Sequence, residues 1–574
     1  MGSFLQRVSA LRQAEGMEML FTLYEVHSEI AGTKADALPE FLQWAPITLR
    51  DMSEVDSHLL GLDDLYRDLR SFHEMEEWSF NLAELSEGQK RLAHQWQQTG
   101  SMHRRLHELM DERRTGTSGW LARRVAENVH ASIGKMPWKM VWIAGMNALD
   151  PASTRILKAL QEQDRLTVAW DADQYYLNDP AQEAGKFLRR SIKDLGKGVV
   201  PPVNEIRERT RNLHVIAAPH GVAQARYAAQ ILAGLPAQER AGTAIVLAAE
   251  DLLMPLLESL PPDAGPYNVT MGMPLTSLPV HGLIEAFLEF HASNTSNAGY
   301  HHTAIERLLL HPFVNGEHST VIIKKLRQDQ RSRCTVTELS GILKEYGLPI
   351  NSDMIAAFQP VENNTDLLQE RIIALIAWAR EICKSDKYAV EQLYRMARVQ
   401  HRLDQGLKKI GIGTLDIRSY ITLRTRCMRE ESIGFYGEPL SGAQIMGFLE
   451  TRALDHDRVL ILGGNDGVLP AAKAVQSWIP FEIRRAYQLP LQGDGEAITA
   501  YHFQRIMHLA LEVRVIYDTS GDHGSAGPSR YVEQWRHEVI GNSNTTLHQH
   551  AVMAPFPVRH APTISIPKDE HVLA

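Results

Sequence analysis

Apolar residues recur at spacings of three and four through "EMLFTLYEVHSEI" and "SHLLGLDDLYRDLRSFHEM", so residues 1–135 read as an almost wholly helical region. The period changes after Lys139. "KMVWIAGM" is a short apolar run ending in glycine, and "DPASTRILKALQEQ" follows as a helix with Asp150 at the N-cap and Pro151 in its first turn. "RLTVAWDADQYY" then supplies a second strand. Strand, helix, strand in such short order is a βαβ unit, which predicts a parallel sheet over residues 136–200.

The linker "GKGVVPPVNE" leads into a second alternating region, 205–285, in which "NLHVIAAP" is a strand, "GVAQARYAAQILAGL" a helix and "AGTAIVLAAED" a strand. Residues 286–415 return to helical spacing, most clearly in "AIERLLLHPFV" and "LLQERIIALIAWAREIC". Strand patterns resume over 416–541 in "AQIMGFLETRAL", "RVLILGGN" and "EVRVIYDTSG". The expectation is an α/β domain whose strands lie on both sides of a helical insertion. Residues 542–574 are proline-rich and lose all period, and read as a linker or a truncated boundary.

With 574 residues the chain is too long for one core, and ordinary domain sizes suggest roughly three or four. A net charge of -9 supplies no overall basic field for DNA or an acidic membrane. Local runs such as "HRRLHELMDERR" (residues 103–114) and "RTRNLH" (209–214) read as solvated faces. Cys334, Cys383 and Cys427 form no CxxC pair, which excludes a cysteine zinc knuckle and a disulfide framework and points to a reducing compartment. The N-terminal stretch is interrupted by arginine and glutamate and is no signal peptide, and no run of about 18 apolar residues occurs. A cytoplasmic location with no membrane contact is expected.

A phosphate-binding motor loop requires Gly-Lys followed by a hydroxyl residue. The Gly-Lys pairs at Gly134-Lys135, Gly185-Lys186 and Gly196-Lys197 are followed by Met136, Phe187 and Gly198, so no such loop is present. A restriction-type nuclease needs an acidic residue two places before a lysine, and none of the 17 lysines has one. His301-His302 and His548–His550 lack an acidic partner in pattern. No catalytic residue and no metal ligand is therefore assigned. "GGNDG" (463–467) follows a strand but is not GxGxxG, and Pro470 comes too soon for a helix N-terminus to hold a phosphate. Asp171 and Asp173 end a strand, either as metal ligands or as a polar strand end.

"GAQIMGFLETRALDHDRVLILGGNDGVLP" resembles the motif of UvrD-type helicases in which a strand leads to Thr-x-His-x-x-Lys-Gly-Leu-Glu-Phe and then to Glu-Gly-x-Leu-Pro. Arg452, Ala453, Leu454 and Asp455 take the Lys-Gly-Leu-Glu places, after Thr451, and Leu449 falls where the histidine would be. "RIMHLALEVRVIYD" resembles the last motif of those helicases, with Glu512 and Val513 at its Thr-Arg positions and Arg514 one place off. With "WDADQYYLNDPAQEAGKFLRR" (including Asp171, Asp173 and Gln174), "NVTMGMPLTSLPV", "LLLHPFV", "SWIPFEIRRAYQLP" and "GPSRYVEQW", the chain resembles the AddB-like proteins from about residue 18 to 541. These are inactivated superfamily I helicases with a C-terminal PD-(D/E)XK nuclease domain.

The resemblance implies an α/β fold of two RecA-like, P-loop-NTPase-like lobes, the first incomplete, with large all-helical insertions. It implies a role in DNA double-strand-break processing, with single-stranded DNA or a duplex end and a helicase-nuclease motor subunit as partners. No cofactor is implied for this chain, and Mg2+ for a nuclease domain beyond Ala574. Arg452, Trp478, Phe481, Arg484 and Arg485 are the DNA-contact candidates, the last four on the expectation that "SWIPFEIRRAYQLP" is a loop of the second lobe with an aromatic and guanidinium face. The rival reading is a non-catalytic assembly subunit that holds a motor partner without touching DNA. A stand-alone nucleotide-using enzyme is disfavoured by the missing phosphate loops.

Overall fold

The three-and-four spacing of apolar side chains folds as helix in the computed structural model. It describes residues 2–79, 87–134, 136–294, 299–313, 317–328, 332–345, 358–361, 364–429, 431–434, 442–471, 476–521 and 525–552. Two units result. The first, Met1–Pro202, Val269–Glu438 and Lys473–Ile498, is mainly helical. Its α1 (Leu38–Ser57) buries Leu38, Phe41, Ala45, Thr48, Met52 and Val55 along one face. Helix α2 (Leu62–Ser79) packs against α3 (Glu87–Glu112), and α4 (Ser118–Glu127) packs against α1, capped by the Thr117 side chain, which accepts from the Trp120 amide.

The βαβ expectation is met: β1 (Val141–Ala144) and β2 (Leu166–Ala169) pair in parallel across α5 (Pro151–Glu162). Asp150 caps α5 by accepting from the Ser153 amide at 2.7 Å. This sheet has two strands among the described residues. The helices Pro279–Ala292, Thr365–Ile382, Lys387–Lys409 and Ile417–Arg429 contribute Phe287, Ile372, Leu403 and Tyr420 to one large core.

The second unit is Val203–Asn268, Pro439–Ala472 and Thr499–Ala574. Its strands are β3 (Arg211–Ala218), β4 (Thr243–Leu247), β5 (Tyr267–Val269), β6 (Ala443–Gly447), β7 (Arg458–Leu462), β8 (Glu512–Asp518) and β9 (Thr545–Ala551). They form one sheet in the order β9-β3-β8-β7-β4-β6-β5, with parallel registers from β9 through β6. β4 is buried at every position and β7 at all but its first, as expected for central strands covered on both faces. Helix α6 (His220–Gly234) buries Ala225, Ala228, Ala229 and Leu232, and this small-residue face packs against β3, β7 and β8.

An α/β sheet assembled from both sides of a helical insertion is therefore present, with different limits. Ile417–Arg429 buries Tyr420, Leu423 and Met428 in the helical unit, and Lys473–Ile498 groups there too, so neither belongs with the sheet. The sheet's first portion ends with β5 at Val269 rather than near residue 285. The linker reading of 542–574 needs a larger correction, because Thr545–Ala551 pairs with β3 as an edge strand. Its polar side chains suit an edge whose main chain supplies the pairing. Residues 553–574 lie outside the described residues. No helix among the described residues is long and apolar enough to cross a membrane.

Candidate functional site

The parallel register brings the C-terminal ends of β3, β8, β7, β4 and β6 to one edge of the sheet, the edge at which open α/β sheets bind ligands. The "GGNDG" turn leaves β7 there. Gly463 has φ of +75°, and a side chain on it would lie 2.9 Å from the Ala249 Cβ; one on Gly464 would run into Val515 Cγ1. Tight backbone packing thus accounts for the glycine pair. The amides of this loop are occupied from within. Gly463 donates to Gln224 Oε1 at 2.8 Å, Gly464 to the Ile516 carbonyl at 2.9 Å and Asp466 to the Gly527 carbonyl at 3.3 Å. Val468 and Leu469 donate to the Asn465 carbonyl.

Asn465 is fully buried and ties this loop to the end of β8. Its Nδ2 donates to the carbonyls of Asp518 and Ser525, each at 2.7 Å, and its Oδ1 accepts from the Asp518 amide at 2.8 Å. The start of α6, whose positive dipole end would attract a phosphate, is filled by a carboxylate. Asp518 Oδ1 accepts from the His220 amide at 3.0 Å, and from the Ser520 amide and hydroxyl at 2.7 Å. Asn465→Ala is expected to destabilise the sheet unit by about 2–4 kcal/mol, since it strands a buried amide and two carbonyls. Urea unfolding of the variant would measure it; an unchanged midpoint would remove Asn465 as the fastener.

Beside this closed edge the "LETRAL" turn stands open. After β6, Gly447 donates to Glu450 Oε2 at 3.2 Å and the Thr451 hydroxyl to the Phe448 carbonyl at 2.8 Å, with Thr451 itself buried. The fixed turn presents Leu449 (62% exposed), Arg452 and Leu454 (46% exposed) to solvent. Asp455 is held back by Arg505 at 2.8 Å. Under the turn, burial and then the charge of Arg452 push His502 down to about 4, and its Nδ1 has no partner among the described residues.

The other candidates separate. Arg484 is only 3% exposed. Its Nε donates to the Pro490 carbonyl at 2.9 Å, its Nη1 to Ser477 Oγ at 2.9 Å and its Nη2 to Glu54 Oε2 at 2.6 Å. Trp478 gives its amide to Asp51 at 2.8 Å and its indole Nε1 to the Trp44 carbonyl at 3.2 Å. Ile479, Ile483 and Leu489 pack with Val55, Leu65 and Leu69. The expected aromatic and guanidinium face on a sheet-unit loop is corrected accordingly: Trp478 and Arg484 anchor the segment onto α1, and Ile479, Ile483 and Leu489 pack it against α2. Phe481 (58% exposed) and Arg485 remain at the surface.

Val513 is core, and Arg514 lies near the start of β8, four residues or about 13 Å along the strand from Asp518. Its Nε donates to Glu512 at 2.7 Å, so it does not reach the strand-end edge that the helicase motif would require. Asp173 is buried and accepts from the Tyr175 amide at 2.8 Å as a helix cap, half-buried Asp171 precedes it, and Gln174 donates to the Pro202 carbonyl at 3.4 Å; the polar strand-end reading fits. The basic runs are neutralised locally, Arg105 by Glu29 and Glu108 and Arg113 by Glu25, while Arg211 is buried over the Trp535 ring. Sequence reading missed Gln224, Asn465 and Asp518, whose roles are tertiary. No protein-family model matches the chain, and no curated protein matches it.

Proposed function

We propose that this chain is the helicase-like DNA-binding and scaffolding core of a bacterial double-strand-break processing nuclease, built on two RecA-like lobes of which the first is incomplete, and that it holds DNA without turning over nucleotide. The observation that carries the reading is the sheet edge itself. The positions where a motor would cradle phosphate are filled by Asp518 and by the internally bonded "GGNDG" loop, while the adjacent turn presents Arg452 outward. Binding would rest on a phosphate contact from Arg452 in the sheet unit and, separately, on a phosphate contact from Arg485 and a base stacked against Phe481 in the helical unit. Arg452→Ala and Arg485→Ala are each expected to weaken single-stranded DNA binding and to lower its salt slope by about one unit; Phe481→Ala should cost about 1–3 kcal/mol of affinity. Anisotropy titrations at several salt concentrations would measure both. Unaltered affinity in all three variants, each still folded, would remove the assignment.

One observation favours the rival reading, an assembly subunit that binds a motor partner. Leu449 and Leu454 are both largely exposed on a turn held in place by hydrogen bonds. Under that reading Leu449→Asp with Leu454→Asp abolishes association with the motor subunit, and the unaltered chain binds no single-stranded DNA.

A further inference from the structure

We propose that Asp56, His103 and His107 form a binding site for a divalent transition metal of the zinc class within the helical unit. His103 and His107 are four residues apart on α3 and so project from one face, and Asp56 near the end of α1 meets them. His103 Nε2 is 3.3 Å from Asp56 Oδ2, and His107 Nε2 is 3.0 Å from both carboxylate oxygens. One ligand atom from each residue lies within 4.8 Å of the others. A tetrahedral zinc ion with nitrogen and oxygen ligands at about 2.0–2.1 Å spaces them about 3.3 Å apart, so the three side chains already stand near coordinating separation. Two imidazoles and a carboxylate leave a fourth position for water or a ligand.

The surroundings orient the two imidazoles. Ligation needs the Nε2 lone pair of His103, which places its proton on Nδ1, where the Tyr66 oxygen lies 2.8 Å away to accept it. His107 is fixed by stacking on Trp120 at 3.7 Å between ring centroids. The nearest competing cation is Arg123, 3.5 Å from Asp56 Oδ1. It is held independently by the Leu60 carbonyl at 2.9 Å and by Glu127 at 2.8 Å, so it can keep those bonds while a metal takes the carboxylate.

The test is a Co2+ titration of the full chain after stripping with a chelator. The expected result is one equivalent of Co2+ bound with the visible absorption of a four-coordinate nitrogen and oxygen site, displaced by Zn2+ and missing from His107→Gln. Tyr66→Phe should weaken binding by about 10–100-fold, because it removes the acceptor that orients His103. If folded wild-type protein gives no such spectrum, or His107→Gln gives the same one, the cluster is a closed hydrogen-bond network and the proposal is overturned. If His107→Gln does not fold, Tyr66→Phe decides, and an unchanged affinity overturns the proposal.

Discussion

Arg484→Ala is expected to destabilise the helical unit by about 3–5 kcal/mol, whereas Arg485→Ala, one residue away, should change it by no more than about 0.5 kcal/mol. The difference lies in what each guanidinium faces. Arg484 is buried and offers its donors to Pro490, Ser477 and Glu54, with Asp51 Oδ1 3.7 Å from it. Removing it takes a donor from the Pro490 carbonyl and the counter-charge from Glu54 and Asp51, in a site where burial already pushes Asp51 up to about 6. Arg485 points to solvent. Urea unfolding followed by tryptophan emission distinguishes them, since Trp44 and Trp478 sit in the affected contact. Equal midpoints for the two variants would contradict the anchoring role of Arg484.

Acidification from about pH 6.5 to 4 is expected to cost the sheet unit several kcal/mol. His214 and His502 are each pushed down to about 4, and His508 lies well below its ordinary value. Burial is the main cause in all three; Arg514 adds to it at His214, Arg452 at His502, and Arg505 with Arg211 at His508. An unfolded histidine titrates near 6.5. Below that pH the unfolded chain takes up protons that the folded sheet refuses. The stabilisation is therefore complete above about pH 6.5 and is lost as pH falls toward 4, at up to about 1.4 kcal/mol per pH unit for each histidine. Asp51, in the helical unit, has the opposite sign, because its raised pKa lets the folded state bind the extra proton up to about pH 6. His502→Phe, next to Phe448, should flatten the acid limb of a denaturation series. An unchanged limb would show that His502 does not couple folding to pH.

The parts of this molecule that were legible in its sequence are those set by local chemistry. Asp150 before Pro151 is a helix start that needs no distant partner, and the uninterrupted apolar runs of β4 and β7 match strands covered on both faces. Three features were not legible, each for a physical reason. The edge strand β9 is held by main-chain pairing to β3, so "TTLHQHA" carries no apolar alternation strong enough to announce it. In "SWIPFEIRRAYQLP" a solvated face and an anchored one look alike, because the carboxylates of Asp51 and Glu54 that decide the matter lie far upstream. The spacing of His103 and His107 is visible on the chain, but their meeting with Asp56 depends on the packing of α1 against its neighbours. At the candidate site the exclusion of a phosphate loop followed from residue types, whereas Asp518 at the start of α6 emerged only with the sheet register.

Fluorescence anisotropy of a labelled single-stranded oligonucleotide, titrated with the purified chain with and without ATP and Mg2+ while phosphate release is followed, separates a DNA-holding core from a motor. The expected result is binding that weakens as salt rises, is unchanged by ATP, is reduced in Arg452→Ala, and is accompanied by no phosphate release. DNA-stimulated phosphate release, or no binding at low salt, would contradict it.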